Sequence, residues 1–263
     1  HTSAAAAWRR IAWACASAGC PRPAVFGEPS TVAAEAPSAA VWQSFHGLAT
    51  GGAGADASVT PLVLEPFPLL LLPRWLPQGE VAALLEAAEG LWEPSPLAVR
   101  GAALLRSSES AVLAEGRLPG SGRAAEAVQA VRQRAADLFG LPVSHMEPPQ
   151  LVRYGPGAFY APHVDWGSAD DPSLWLAGQR VASALAYLEC SDAGGATHFP
   201  ALGLRVVPEP GAALAWPNVD ARGTPLGATE HEAEPVVASG DGFPPRKVAL
   251  NLWARDRPVP GPW

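Results

Sequence analysis

The stretch Arg153–Trp166 reads RYGPGAFYAPHVDW. It ends in His163-x-Asp165, an imidazole and a carboxylate two positions apart. The residues after Gly157 predict a strand over Phe159–Asp165. Alternate side chains of a strand share a face, so both groups would point at one spot. One His and one carboxylate on one face are two of the three ligands of a facial metal site of the 2-His-1-carboxylate type. The third must come from elsewhere in the chain. With His1 and His46 set aside, His145, His198 and His231 remain. His145 falls in a helix-to-strand loop. His198, beside Phe199 and Pro200, reads equally well as a packed core side chain. His231 lies 66 positions beyond Asp165, just before a predicted strand Glu234–Ala238. Distant strands of a jelly roll can face each other in the barrel mouth.

Outward from this stretch, short apolar runs broken by Gly, Pro and Asn/Asp predict further strands. These are Leu151–Tyr154, Val181–Glu189, Leu204–Val207, Ala212–Trp216 and Lys247–Ala254. Strands without intervening helices argue for an antiparallel sandwich or barrel. Upstream, Leu69–Leu72 reads as a buried strand between prolines. Pro77 can open a helix whose apolar face is Val81, Leu84, Leu85, Ala88, Leu91 and Trp92. A second helix fits Arg123–Phe139, with Gly140 as its stop. Both helices are expected to cover a sheet. Residues 1–60, rich in Ala, Gly, Ser and Pro, read as a poorly ordered or lightly packed extension, with a short amphipathic piece at Ala7–Ala18 and a linker at Gly51–Ala55. Residues 61–263 form the expected domain.

The 263 residues can bury one large core, and a hydrophobic content of 48% excludes wholesale disorder. A net charge of −7 argues against a nucleic-acid-binding surface and a polybasic membrane contact. No run reaches the roughly 20 apolar residues of a membrane span. Cys15, Cys20 and Cys190 make an odd count, read as unlinked thiols rather than a disulfide framework. The chain starts at His1, so a missing true N-terminus is expected.

The order of motifs carries a resemblance. They are Glu147-Pro-Pro-Gln-Leu-Val-Arg-Tyr154, Tyr160-x-x-His163-x-Asp165, Arg180-Val-Ala-Ser-Ala-Leu-Ala-Tyr-Leu188, Gly194-Gly-x-Thr197-x-Phe-Pro200, Pro210-Gly-x-Ala-Leu214, His231-x-x-x-Pro-Val236 and Lys247-x-x-x-Asn-Leu-Trp253. Together they resemble the prolyl 4-hydroxylase family of iron(II)- and 2-oxoglutarate-dependent dioxygenases, over about Leu62–Arg257. Leu105-Arg-Ser-Ser108 resembles the family's Arg-Thr-Ser segment.

The resemblance implies an α+β fold: a double-stranded β-helix (jelly-roll) core of mostly antiparallel strands, with N-terminal helices packed on one sheet. It implies His163, Asp165 and His231 as iron ligands. Lys247 would pair with the distal carboxylate of 2-oxoglutarate, with Tyr154 and Thr197 as hydroxyl partners. A dianionic cosubstrate in a partly dry barrel needs such a cation. Arg180, Tyr160 and Trp253 resemble the residues on the substrate side, where an Arg fork suits a peptide carbonyl and aromatic rings suit a proline face. Fe(II), 2-oxoglutarate, O2 and ascorbate are the implied cofactors; the resemblance is compatible with the secretory pathway, and the residues themselves leave the compartment open.

The pattern departs from the family in two places. Ser183 stands where Thr is usual, and the 16 positions from His231 to Lys247 are a longer interval than the family's. Gly240–Pro245 reads as an inserted loop there, and neighbouring Arg246 is a rival cation. Two other readings stay open. One is the same chemistry on a free amino acid or other small molecule rather than a proline-containing peptide or protein. The other is a non-catalytic binding module on the same fold.

Overall fold

The computed structural model describes residues 36–51, 59–95, 99–100, 103–118, 122–168, 174, 177–190, 193–237 and 246–261. The expected helix Ala7–Ala18, Cys15, Cys20, most of the linker at 51–55 and the loop Gly240–Pro245 lie outside them. In chain order the elements begin with α1 (Pro37–Ala49), β1 (Thr60–Val63), β2 (Leu69–Leu72), α2 (Gln78–Ala87) and β3 (Glu93–Pro94). A small hairpin follows, β4 (Val99–Arg100) with β5 (Ala103–Leu104), and then β6 (Glu109–Val112) and α3 (Arg123–Phe139). The strand-rich part holds β7 (Gln150–Tyr154), β8 (Tyr160–His163), β9 (Arg180–Glu189), β10 (Thr197–Phe199), β11 (Leu204–Val206), β12 (Ala213–Pro217), β13 (His231–Ala233) and β14 (Lys247–Arg255).

Eight strands make one antiparallel sheet in the order β1-β2-β12-β9-β14-β7-β6-β3. Four make a second, in the order β11-β10-β13-β8. The large sheet separates two cores, and period-2 alternation assigns each residue to one of them. From β14, Val248, Leu250, Leu252 and Ala254 enter the core under the helices, while Ala249 enters the core between the sheets. From β12, Ala213 and Ala215 face the helices, and Leu214 and Trp216 face the small sheet. Because both faces of these strands are buried, they read as near-continuous apolar runs.

Among the described residues the helices pack on the large sheet, as expected, through contacts with β9, β12 and β14. Helix α3 turns Val128, Val131, Ala135 and Phe139 inward. Gly140 ends it in the left-handed region at φ 68°, donating its N–H to Asp137 O. Helix α2 is shorter than the sequence pattern suggested, ending at Ala87, so Leu91 and Trp92 lie in the following turn and coil.

Two expectations are corrected here. The N-terminal segment is not wholly a loose extension: α1 buries Val41 and Phe45 completely. Phe45 stacks on Phe139 with centroids 6.0 Å apart, and Ser44 Oγ donates to Leu138 O at 2.9 Å. The Ala-rich composition hid this helix because its apolar face is only a few side chains wide. The second correction concerns the predicted strand Glu234–Ala238. The strand is β13, three residues earlier, and only Val236 makes a further bridge, to Gly194. No helix among the described residues is long and apolar enough to cross a membrane.

If α1 is part of the core, Phe45→Ala should lower the unfolding free energy by about 3–5 kcal/mol, the usual cost of a buried Phe cavity. Denaturant unfolding of the full chain measures this. A change under about 0.5 kcal/mol would mean that α1 is dispensable.

Candidate active site

Antiparallel pairing of β13 with β8 sets His231 opposite His163. Asp165 is not in the strand, as the spacing predicted, but in the bend just after β8. The bend still turns its carboxylate back to the same place. The ligand atoms of His163, Asp165 and His231 all lie within 4.8 Å of one another.

Each imidazole is held by its other nitrogen. His163 Nδ1 donates to Ala161 O at 2.9 Å, and His231 Nδ1 donates to Thr229 O at 2.9 Å. Carbonyls only accept, so Nδ1 carries a proton on each ring, which leaves Nε2 as the atom each can offer to a metal. Burial, then the neighbouring His231 ring, keeps the His163 imidazole neutral. Burial alone would raise the Asp165 carboxyl, but the two imidazoles, Arg180 and a hydrogen bond from Ser183 hold it well below the usual carboxylate range. Neutral imidazoles and an ionised carboxylate are the states that bind a divalent cation. This donor set fits a facial transition-metal centre.

A second group of side chains that could hold a metal, His198, Glu232 and Glu234, lies out of phase with Thr197 and His231 on the strands β10 and β13. The sequence left His198 as a candidate core residue, but it is half-exposed and bonds Glu232 Oε1 at 2.7 Å. Phe199 takes the buried side instead. Arg205 holds Glu234 through both oxygens, so this cluster is an ion-pair web.

The triad opens onto a cavity of about 260 Å³ between the sheets. Alternation along β14 puts Lys247, Ala249, Asn251 and Trp253 on its wall. β7 adds Tyr154, Val152 and Gln150, each paired directly with one of the first three. Lys247 is 1% exposed, and its Nζ has no hydrogen-bond partner. It lies between two rings, 5.6 Å from the Tyr154 centroid and 5.4 Å from that of Tyr187. Burial pushes its ammonium down to about 8, against weaker opposing effects of Cys190 and Glu234. Arg246 is no rival, being exposed and paired with Glu189 at 2.6 Å.

Thr197 shares a hydrogen bond with Tyr187 Oη at 2.7 Å, and both reach the Lys247 end. Burial pushes the Tyr154 hydroxyl up to about 12, so it stays protonated and able to donate. Gly194 and Gly195, expected to be a tight turn, are both at positive φ, and Gly194 bridges to Val236. A Cβ on Gly195 would sit 3.3 Å from Lys247 Cδ, so this glycine leaves room for the lysine stem.

The other end of the cavity is held by Glu147. It accepts from Arg180 Nε at 2.6 Å, Arg180 Nη2 at 2.9 Å and Arg255 Nε at 2.6 Å. Burial favours the neutral acid, but the two guanidinium groups keep Glu147 ionised. The Arg180 fork, which the sequence reading offered to a peptide carbonyl, is therefore already engaged on one edge. The same guanidinium lies 3.8 Å above the Trp253 ring. Tyr160 stacks on His163 with centroids 3.6 Å apart, and Arg106 covers its ring at 4.5 Å. Arg106, Gln150 and Asn251 line this cavity but were given no role from sequence. For Asn251 the clue was available, since it lies four positions from Lys247 on the same strand face.

Residues 149–255 match the family described as the 2OG-Fe(II) oxygenase superfamily. Among curated relatives, prolyl 4-hydroxylase subunit alpha-1 of Gallus gallus is 36% identical over 140 residues, 52% of this chain and 26% of the relative. Subunit alpha-3 of Bos taurus is 37% identical over 127 residues, 47% of this chain and 22% of the relative. The chain thus spans about a quarter of the length of these relatives. In fold it is similar to a viral collagen prolyl hydroxylase of Paramecium Bursaria Chlorella virus-1, at TM-score 0.52 and 24% identity. That likeness covers 70% of this chain and 94% of the viral one. A Pseudomonas putida prolyl-4-hydroxylase gives TM-score 0.50 at 23% identity, covering 74% and 95%.

If the three converging groups form one site, the metal-free protein should bind one Co(II) per chain by calorimetry. His163→Ala, Asp165→Ala and His231→Ala should each weaken it by more than about 100-fold, beyond the loss typical of outer residues. Equal loss in His198→Ala and none in His163→Ala would move the metal to the other cluster.

Proposed function

We propose, taking residues 149–255 as a prolyl 4-hydroxylase-like 2OG-Fe(II) oxygenase domain, that the protein is an iron(II)- and 2-oxoglutarate-dependent dioxygenase hydroxylating prolyl residues of a peptide or protein. The observation that carries this reading is Lys247. A buried ammonium without a partner, in the cavity that also receives His163, Asp165 and His231, calls for an anionic ligand placed beside the metal. The two sheets would be the halves of a double-stranded β-helix.

In this reading His163, Asp165 and His231 hold the iron. Lys247 pairs with the distal carboxylate of 2-oxoglutarate, and the Tyr154 and Thr197 hydroxyls donate to it. When bound, the metal and cosubstrate supply the oxidation: with O2, 2-oxoglutarate gives succinate and CO2, and a C–H bond of the substrate becomes C–OH. The apolar walls Val152, Leu185 and Ala249 keep water from the space between. Tyr160, stacked on His163, and Trp253, beneath Arg180, form the aromatic wall on the substrate side. Glu147 fixes Arg180 over Trp253, so that the remaining guanidinium N–H groups can orient a peptide carbonyl. Ascorbate dependence and a secretory-pathway setting rest on the resemblance alone.

Succinate release in the presence of iron, 2-oxoglutarate and a Pro-rich peptide tests the reaction. Release with free amino acids but not with the peptide would favour a small-molecule substrate. Peptide binding with no 2-oxoglutarate consumed would favour a binding module.

Lys247→Ala should weaken 2-oxoglutarate binding by roughly 30-fold or more, the loss of one charged hydrogen bond of about 2 kcal/mol. The wild-type affinity should also depend on pH. In the free protein Lys247 releases its proton as pH rises through about 8, while a bound carboxylate keeps it protonated. Binding is therefore strongest below pH 8 and falls above it, approaching about tenfold per unit. Constant affinity from pH 7 to 9.5 would contradict the pairing.

A further inference from the structure

Behind Asp165 lies a hydrogen-bond chain that none of these roles uses. Ser183 Oγ donates to Asp165 Oδ2 at 2.7 Å, and Asn218 Nδ2 donates to Ser183 Oγ at 2.8 Å. Both residues are deeply buried, Asn218 at 0% exposure and Ser183 at 1%. The direction of the chain is fixed by its ends. An amide nitrogen can only donate, and an ionised carboxylate can only accept. The hydroxyl between them must therefore accept from Asn218 and give its single proton to Asp165.

The arrangement leaves a fault. Asn218 Oδ1 is buried without a donor. An unpaired buried acceptor is destabilising, and an apolar side chain in this slot would avoid it. The amide is useful here only through its N–H. Both links are mounted on rigid backbone. Asn218 N–H donates to Val181 O at 2.9 Å, and its carbonyl accepts from Leu226 N–H at 3.0 Å. Ser183 lies in β9 between β12 and β14, opposite Trp216 and Trp253. Asp165, by contrast, sits in a bend outside any strand. Its own backbone cannot fix the carboxylate as a strand fixes His163 and His231.

We infer that Ser183 and Asn218 are positioning residues for the metal centre. Asn218 orients the Ser183 hydroxyl, and that hydroxyl locks the rotation of the Asp165 carboxylate before a metal arrives. This rests on the reading that His163, Asp165 and His231 hold a divalent cation. It assigns to two neutral residues the rigidity that the bend after β8 lacks.

The test is Co(II) binding to the metal-free full chain by calorimetry, without cosubstrate or substrate. Ser183→Ala should weaken binding by about 10–100-fold, and Asn218→Ala by several-fold. Ser183→Thr keeps the hydroxyl and should stay within about threefold of wild type, a rescue that a purely packing role for this position would not give. The double variant should bind no worse than Ser183→Ala alone, because Asn218 acts through the hydroxyl. Wild-type affinity in Ser183→Ala, or an additive loss in the double variant, overturns the inference and leaves the metal site standing. No stoichiometric binding by the wild type overturns the metal reading itself.

Discussion

The site depends on β14 having two unlike faces. One face, Val248, Leu250, Leu252 and Ala254, is sealed under the helices. The other carries Lys247, Ala249, Asn251 and Trp253 into the cavity. A shift of one residue in register would exchange the faces and put a lysine under α3. Pairing on both sides, with β7 and with β9, makes that slip costly. The helix-side core therefore does more than stabilise the fold. It holds the ammonium of Lys247 in a place where it has no partner of its own.

That unpaired cation and the triad are complementary burdens. The triad presents an ionised carboxylate and two imidazoles tethered through Nδ1, with Nε2 left to bind. Lys247 presents a charge that burial disfavours. Both are relieved by the same kind of occupant, a metal and an anion side by side. At the far end the charges are already paired: Glu147 ties Arg180 and Arg255, and Trp253 lies beneath Arg180. The cavity thus grades from an unsatisfied end at Lys247 to a preorganised end at Arg180, which suits a cosubstrate inside and a substrate at the rim.

Much of this was legible in the sequence. The apolar runs marked β2, β7, β9, β12 and β14, and Gly140 marked the end of α3. The motif order singled out His163, Asp165, His231 and Lys247, and the structure brings all four to one cavity. The wide interval before Lys247 did not displace it, because its place is set by the strand and not by the loop. What could not be read depends on contacts across the fold. Helix α1 shows its role only against Phe139. Asp165 falls in a bend, because the spacing gives the pair but not the end of the strand. Ser183 and Asn218 are 35 positions apart and meet only through the pairing of β9 with β12. His198 was ambiguous because a strand residue beside a buried Phe takes the opposite face.

The most direct test of the account is a crystal structure of the protein with Co(II) and 2-oxoglutarate, the metal located by its anomalous signal. One strong peak is expected between His163 Nε2, Asp165 and His231 Nε2, with the distal carboxylate of the cosubstrate on Lys247 Nζ. A peak at His198, Glu232 and Glu234, or a cosubstrate that leaves Lys247 unpaired, would contradict it.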